Sequence, residues 1–157
     1  MTTFELEQAI YFALAKMGTY VCFEVQMPRA SFNIGLPDER VDLLTFDTKG
    51  DWRFYELKIS KRDFYSKHKH TFYGDFNYFV MPHDVYLEVK HDIPNDIGAY
   101  TAKRHEPSDK IFCECVRKPK RRQTAIHKDK LMFAFMQALS REHGKYRRLL
   151  AERSGKC

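Results

Sequence analysis

The sequence predicts a single α/β domain with a central mixed β-sheet flanked by helices. Its 157 residues are close to the commonest size of one domain. With 43% hydrophobic and 15% aromatic residues and only 7 glycines and 6 prolines, the chain can bury a core, which excludes collagenous, disordered and low-complexity proteins. Helical and strand-like segments alternate, and no repeat or long linker divides them. We therefore expect one domain over residues 1–157, with a basic C-terminal segment and helix over 117–150.

The chain opens with a predicted amphipathic helix over Thr3–Met17. Apolar residues recur there at helical spacing, and Gly18 provides the stop. Tyr20–Met27 is rich in β-forming residues and predicts a strand that ends at Pro28. Arg29–Pro37 contains the Ser, Asn, Gly and Pro typical of a loop.

A β-hairpin is predicted next. Arg40–Asp47 and Asp51–Ile59 are strand-like and flank Thr48-Lys49-Gly50, a three-residue loop with glycine where a left-handed conformation is needed. If Asp47 pairs with Asp51, every step back along the first strand is matched by one step forward along the second. The register of the whole hairpin is then fixed by that one pairing.

Six further elements are predicted from periodicity and from capping or breaking residues. They are a helix over Lys61–Lys69, a strand over Phe76–Met81, a helix over His83–Lys90, a hairpin of Gly98–Ala102 with Ile111–Arg117, and a helix over His127–Arg148.

The predicted hairpin brings three charged side chains together. Asp42 falls opposite Glu56, with Cβ atoms about 5 Å apart, and Lys58 projects from the same strand face as Glu56. Two neighbouring carboxylates in an apolar sheet repel each other, and a divalent cation offsets that cost. We therefore expect Mg²⁺, with Mn²⁺ as an alternative. A backbone carbonyl such as that of Leu57, waters and substrate phosphate would complete its ligands, and the chemistry expected is phosphodiester hydrolysis. The alternative is an ordinary ion-pair cluster on an exposed sheet face, but the apolar flanks favour strands buried on both sides.

These residues resemble a known superfamily. Asp42 followed fourteen residues later by Glu56-Leu57-Lys58, between two helices, is similar to the PD-(D/E)XK nucleases. The longer string from Arg40 to Ala102 resembles the MmcB-like branch, whose members are associated with DNA repair and with phage genomes. The resemblance covers about residues 3–122, although Val41 stands where the pattern has proline.

The resemblance implies a restriction-endonuclease-like fold and a metal-dependent DNA endonuclease acting in repair, recombination or phage DNA processing. It implies that Asp42 and Glu56 are metal ligands and that Lys58 is the catalytic lysine. Many members complete the metal site with a glutamate from the first helix. The family pattern favours Glu5 for that role, while Glu7 lies nearer the apolar stripe of the helix.

Charge is distributed unevenly along the chain. Residues 117–157 hold 13 of the 27 Lys and Arg residues but 3 of the 21 Asp and Glu residues, which indicates a polyanionic partner. A basic helix lying on a membrane and a solvated face would give the same count, so the charge split alone does not choose between them. We expect DNA phosphates to be contacted by two groups of cations. They are Lys61, Arg62, Lys67 and Lys69 after the hairpin, and Lys118, Lys120, Arg121 and Arg122 before the last helix. The alternative for the first group is a solvated basic face whose aromatic residues pack on the sheet.

The remaining expectations concern location and partners. No apolar stretch approaches the roughly 20 residues of a membrane-spanning helix, and the N-terminus does not resemble a signal peptide, so we expect a cytoplasmic protein of a bacterial or phage-infected cell. The cysteines are expected to be small buried strand residues. A homodimer is possible, since cutting both strands often needs two copies. The rival to a nuclease is a catalytically silent nucleic-acid-binding or phage regulatory module on the same fold, and RNA is a further candidate substrate.

Overall fold

The computed structural model describes residues 1–27, 40–66 and 72–155. Within these ranges the chain forms six strands and four helices. In chain order they are α1 (Thr3–Leu14), β1 (Thr19–Gln26), β2 (Arg40–Asp47), β3 (Trp52–Leu57), α2 (Lys61–Phe64), β4 (Phe76–Pro82), α3 (His83–Val89), β5 (Gly98–His105), β6 (Lys110–Arg117) and α4 (Lys128–Arg153).

All six strands belong to one sheet in the order β1-β2-β3-β4-β5-β6. The pairs β1–β2, β2–β3 and β5–β6 are antiparallel, whereas β3–β4 and β4–β5 are parallel. The sheet is therefore mixed, and the predicted α/β class with a central mixed sheet flanked by helices is confirmed.

The hairpin of β2 and β3 has the predicted register. Leu43 lies opposite Tyr55, and Phe46 lies opposite Trp52. The loop between the strands is held by Asp47, whose Oδ1 accepts hydrogen bonds from the backbone N–H groups of Lys49 and Asp51. Gly50 adopts a φ of 82°, a conformation that costs a residue with a Cβ but not glycine.

Helices cover both faces of the sheet. On one face, α1 buries Leu6 and Ile10 against Leu43 and Tyr55. On the other face, the first half of α4 packs onto β1–β3 through a cluster that includes Leu131, Phe135, Phe54 and Trp52. Helices α2 and α3 pack beside it on the same face, against β4 and β5, through residues that include Phe64, Phe79, Met81 and Val85.

The strand ends form two opposite edges of the sheet. The carboxyl edge is where β1, β3, β4 and β5 end and where β2 begins; the amino edge is where β3, β4 and β5 begin. The six residues of β3 separate these edges by about 17 Å. Across the described ranges, no helix has the length and apolar character needed to cross a bilayer.

The prediction for the cysteines holds only in part. Cys22 is buried, and burial raises the pKa of its thiol to about 11. Cys113 is half-buried and Cys115 is exposed, because both lie on β6 at the sheet margin. All three are free thiols. Cys157 lies outside the described residues.

Candidate functional site

An acidic cavity of about 770 Å³ lies at the carboxyl edge of the sheet. It forms where the last residues of β1 and β3 and the first residues of β2 meet the start of α1 and the segment around α2. Its lining residues are Thr3, Glu7, Glu24, Asp42, Leu57, Ile59, Ser60, Arg62, Asp63, Tyr65 and Ser66.

Asp42 faces this cavity from the start of β2. Its Oδ2 accepts a hydrogen bond of 2.8 Å from the backbone N–H of Leu57, just beyond the Leu43–Tyr55 pair of the hairpin. Burial raises the pKa of the Asp42 carboxyl. The Leu57 hydrogen bond and the charge of Lys58 oppose that rise, while the charge of Glu24 adds to it. Asp42 is therefore a carboxylate held in place by backbone yet poorly solvated.

Two further carboxylates line the same cavity. Glu24 interrupts β1 with a φ of 54°, which a residue other than glycine rarely adopts, and its side chain pairs with Arg40. Glu7 comes from α1, and its pKa is raised first by burial and then by the negative charges of Glu24 and Asp42. The three side chains thus repel one another across one space.

Lys58 lies directly after β3 and is only 5% exposed. Its Nζ is 3.9 Å from Oδ1 of Asp63, and its backbone N–H donates to the carbonyl of Val80, which continues the β3–β4 ladder. Asp63 in turn accepts a hydrogen bond from the N–H of Ile59, and its own N–H is capped by Ser60. A buried ammonium is therefore held beside the cavity, close enough to influence Asp42.

Glu56, the predicted partner of Asp42, is buried and is not among the residues that line the cavity. It is 6% exposed and lies opposite Phe79, on the face of the sheet that α2 and α3 cover. The predicted register is correct, but the predicted convergence with Asp42 assumes regular alternation in both strands.

The alternation of side chains breaks at Glu24 and Asp42. Val25 packs in the same cluster as Cys22, and Val41 in the same cluster as Leu44, although three positions separate each pair. In a regular strand, residues three apart point to opposite faces. The side chains of β1 and β2 therefore switch faces of the sheet at the distorted Glu24–Asp42 position. This distortion lets Asp42 line the cavity, while the alternation of β3 around Glu56 stays regular.

Glu5, the preferred candidate for a ligand from the first helix, also lies elsewhere. Its Oε2 accepts from the N–H of Thr2 while the Thr2 hydroxyl accepts from the N–H of Glu5, and its Oε1 accepts from Arg104 at 2.6 Å. The Thr2 and Arg104 hydrogen bonds lower the pKa of Glu5 to about 2. The prediction that Glu5 joins Asp42 is not what the structure shows, and Glu7 takes that place. Thr-x-x-Glu at a helix start is the pattern of a capping box, and this pattern in the sequence could have predicted that Glu5 caps the helix.

The donor chemistry of the cavity fits a hard divalent cation. Mg²⁺ prefers carboxylate oxygens, and it commonly uses one or two of them, with waters and substrate phosphates filling the other positions. Glu7, Glu24 and Asp42 provide such oxygens, and a cation would relieve the repulsion between them. Within the described part of the chain, however, no three or more His, Cys, Asp or Glu side chains are grouped closely enough to form a complete metal cage.

The first group of predicted DNA-binding cations is only partly placed by the structure. Arg62 lines the cavity, and Lys61 pairs with Glu88 at 3.3 Å on the surface. Lys67 and Lys69 lie outside the described residues. Of the two cations of this group that the structure describes, Arg62 is therefore the one that faces the acidic residues.

The second group lies at the amino edge, away from the acidic cavity. Arg121 pairs with Asp51 at 2.8 Å, and Arg122 pairs with Asp96. The N–H of Lys120 donates to the carbonyl of Asp96. Because β6 is antiparallel to β5, its end returns the chain to the edge where β5 begins, so Lys118–Arg122 lies at the opposite edge of the sheet from Asp42.

Fold and site together define an α/β protein with an acidic cavity at the carboxyl edge of a mixed sheet. No family model and no curated protein matches the chain. Among solved structures it is similar to one described as SPO1766, a protein of unknown function from Silicibacter pomeroyi, with a TM-score of 0.62 and 23% identity over 96% of this chain and 90% of that one. At this identity the likeness concerns the fold alone.

Proposed function

We propose that the protein is a metal-dependent DNA nuclease with a restriction-endonuclease-like fold, serving repair, recombination or phage DNA processing. One observation carries the proposal. The carboxylates of Asp42 and Glu7 line one cavity, and the buried ammonium of Lys58, at the neighbouring strand end, is near enough to act on Asp42. A carboxylate site next to a fixed cation suits hydrolysis of a phosphodiester.

Each residue of the cavity has a distinct task in this proposal. Bound Mg²⁺ would act as a Lewis acid and lower the pKa of a coordinated water. Asp42 and Glu7 would hold the cation, with Asp42 kept in position by the Leu57 N–H. Lys58, fixed near Asp63, orients the attacking water and stabilises charge that develops on the phosphate. Arg62 on the cavity wall contacts a flanking phosphate.

Cleavage assays on the full chain test the proposal. Labelled single-stranded, duplex and branched DNA, and RNA, are incubated with Mg²⁺, Mn²⁺ or EDTA. We expect cleavage of DNA that EDTA abolishes. Asp42→Asn and Lys58→Ala should each lower the rate by about a hundredfold or more, since loss even of residues that only orient metal ligands costs 10- to 100-fold.

A matched pair of variants locates the metal ligands. Glu7→Gln and Glu5→Gln make the same change on the same helix, but only Glu7 lines the cavity. We expect Glu7→Gln to raise the Mg²⁺ concentration needed for half-maximal cleavage and Glu5→Gln to leave it unchanged. Glu56→Gln tests the ligand role that the family resemblance implies. Undiminished cleavage by both Asp42→Asn and Lys58→Ala would reject the assignment.

The rival is a catalytically silent nucleic-acid-binding or regulatory module. The excess of Lys and Arg over residues 117–157 supports nucleic-acid binding by itself, without any chemistry. Its signature is salt-sensitive binding of DNA or RNA with no cleavage under any metal condition. Cleavage of RNA but not DNA would keep the chemistry and change the substrate.

A further inference from the structure

The last helix crosses the sheet from one edge to the other. At its start, Lys128 Nζ donates to the carbonyl of Gly50 at the amino edge. Thirteen residues later, Arg141 donates to the carbonyl of Glu24 at 2.6 Å, next to the cavity at the carboxyl edge. The rise over these residues, about 20 Å, matches the height of the sheet. The helix therefore reaches the acidic cavity at about its midpoint, and its second half extends beyond that point.

The terminal segment of α4, Lys145–Arg153, continues beyond that contact for about 13 Å. Every side chain from Lys145 to Leu150 is exposed, so no described element packs over this part of the helix. The segment contains four cations and one carboxylate. Since a helix this exposed contributes little to the core, its charge is available to a partner.

The arginines of this segment are less neutralised than Arg121 and Arg122 at the amino edge, whereas Lys145 pairs with Glu142 at 2.9 Å. Within the described part of the chain, Arg147 and Arg153 have no acidic partner, and Arg148 bonds only to a carbonyl of its own helix. At the amino edge, by contrast, Arg121 and Arg122 already pair with aspartates. Positive charge that is free to meet phosphate thus lies at the same edge as Asp42.

We infer that the terminal segment of α4 is the surface that holds a nucleic-acid phosphate backbone next to the acidic cavity. The inference rests on the proposed function and names how the substrate is held. Arg147 and Arg153 contact phosphates, and Tyr146, 57% exposed beside Arg147, offers a ring for stacking on an unpaired base. The Lys118–Arg122 segment, at the far edge, is not needed for this contact.

A matched pair of double variants tests the inference by binding alone. Arg147→Ala/Arg153→Ala and Lys118→Ala/Lys120→Ala each remove two cations, from opposite edges of the sheet. Fluorescence anisotropy of labelled single-stranded and duplex DNA and RNA is measured in EDTA across a salt series. We expect the α4 pair to weaken binding about tenfold or more and to flatten the salt dependence by about two phosphate contacts, with little change for the control. Circular dichroism checks that each variant is folded.

The outcomes separate this inference from the proposed function. Equal losses from both pairs, or a loss from the control alone, would overturn the inference while leaving cleavage to be judged by Asp42→Asn. Loss of binding through α4 without any cleavage would instead remove the nuclease proposal and keep the surface. Leu149 is also 56% exposed, so anionic phosphatidylserine vesicles form a third arm. Vesicle binding without nucleic-acid binding would assign the segment to a membrane surface and overturn the inference.

Discussion

At the scale of single residues, Asp42 shows how a charged group is held where solvation is poor. The Leu57 N–H and the nearby Lys58 favour its ionised form, but burial outweighs both, and its pKa is raised. A carboxyl whose pKa is higher in the folded state than in the unfolded chain makes the protein less stable once it is ionised. The ionised Asp42 is thus expected to lower the free energy of unfolding at neutral pH, while it supplies a negative charge at the cavity.

Substitution of this residue gives a signed prediction. Asp42→Asn keeps an oxygen that can accept from Leu57 and removes the charge, so the variant should be more stable than the wild type at pH 7 without metal. The gain should shrink as pH falls through the raised pKa and vanish below the ordinary pKa of aspartate, where the wild-type side chain is neutral in both states. Urea unfolding at pH 3 and pH 7 measures it. A variant less stable by the same amount at both pH values would contradict this account.

Glu7 and Glu5 show why residue type alone did not identify the cavity. They lie two positions apart on α1, and both are acidic, yet one faces the cavity and the other closes the start of the helix. The capping box explains Glu5 from sequence. The position of Glu7 depends on how α1 is set against the sheet, which no local pattern states.

At the scale of elements, the start of α1 is stabilised by a charge. Glu5 accepts from Thr2 and from Arg104, so this carboxyl joins the helix to β5. These bonds lower the pKa of Glu5 to about 2, which means that they favour the folded state when the side chain is ionised. Their contribution to the stability of the folded state is complete above the ordinary pKa of 4.5 and is lost as pH falls toward 2.

The Glu5→Gln variant should reveal this dependence. We expect it to be less stable than the wild type at pH 7 and to approach the wild type as pH falls from about 4.5 to about 2, because protonation then removes the same charge from the native protein. Thermal unfolding followed by circular dichroism across this range measures the difference. A difference that does not vary with pH would show that the charge of Glu5 is irrelevant to the cap.

Most elements could be predicted from the sequence because their signals are local. Alternation and apolar runs identified the strands, and Gly50 with Asp47 determined the register of the hairpin. The first helix was overextended, since it ends at Leu14 and not at Met17. The strand β5 was too short in the prediction, since charged residues extend it to His105 by pairing with β6.

At the scale of the whole molecule, one sheet shared by two helical layers should make unfolding cooperative. The buried indole of Trp52 packs edge-on against Phe135 of α4, with ring centroids 5.8 Å apart. Phe54 and Leu131 belong to the same cluster. The fluorescence of Trp52, the sole tryptophan, therefore reports on the contact between α4 and the sheet.

Phe135→Ala should lower the free energy of unfolding by about 3–5 kcal/mol, because it leaves a cavity in a fully buried cluster. Phe133→Ala is the control, since Phe133 is 65% exposed on the same helix and its loss should cost no more than about 0.5 kcal/mol. Tryptophan fluorescence and far-ultraviolet circular dichroism in urea are compared. If the two signals of Phe135→Ala separate into distinct transitions, α4 is an independent unit and the cooperative account is wrong.

The sequence by itself determined the fold class, the order of the elements, the hairpin register and the position of Asp42 and Lys58 at neighbouring strand ends. Each of these depends on near neighbours in the chain. Only the tertiary structure decided which acidic side chains meet. The strand distortion at Glu24 leaves Asp42 lining the cavity while Glu56 does not, and the packing of α1 selects Glu7 over Glu5. It also placed Lys118–Arg122 at the amino edge and the end of α4 at the carboxyl edge, because strand direction and helix docking set where a charged segment lies in space.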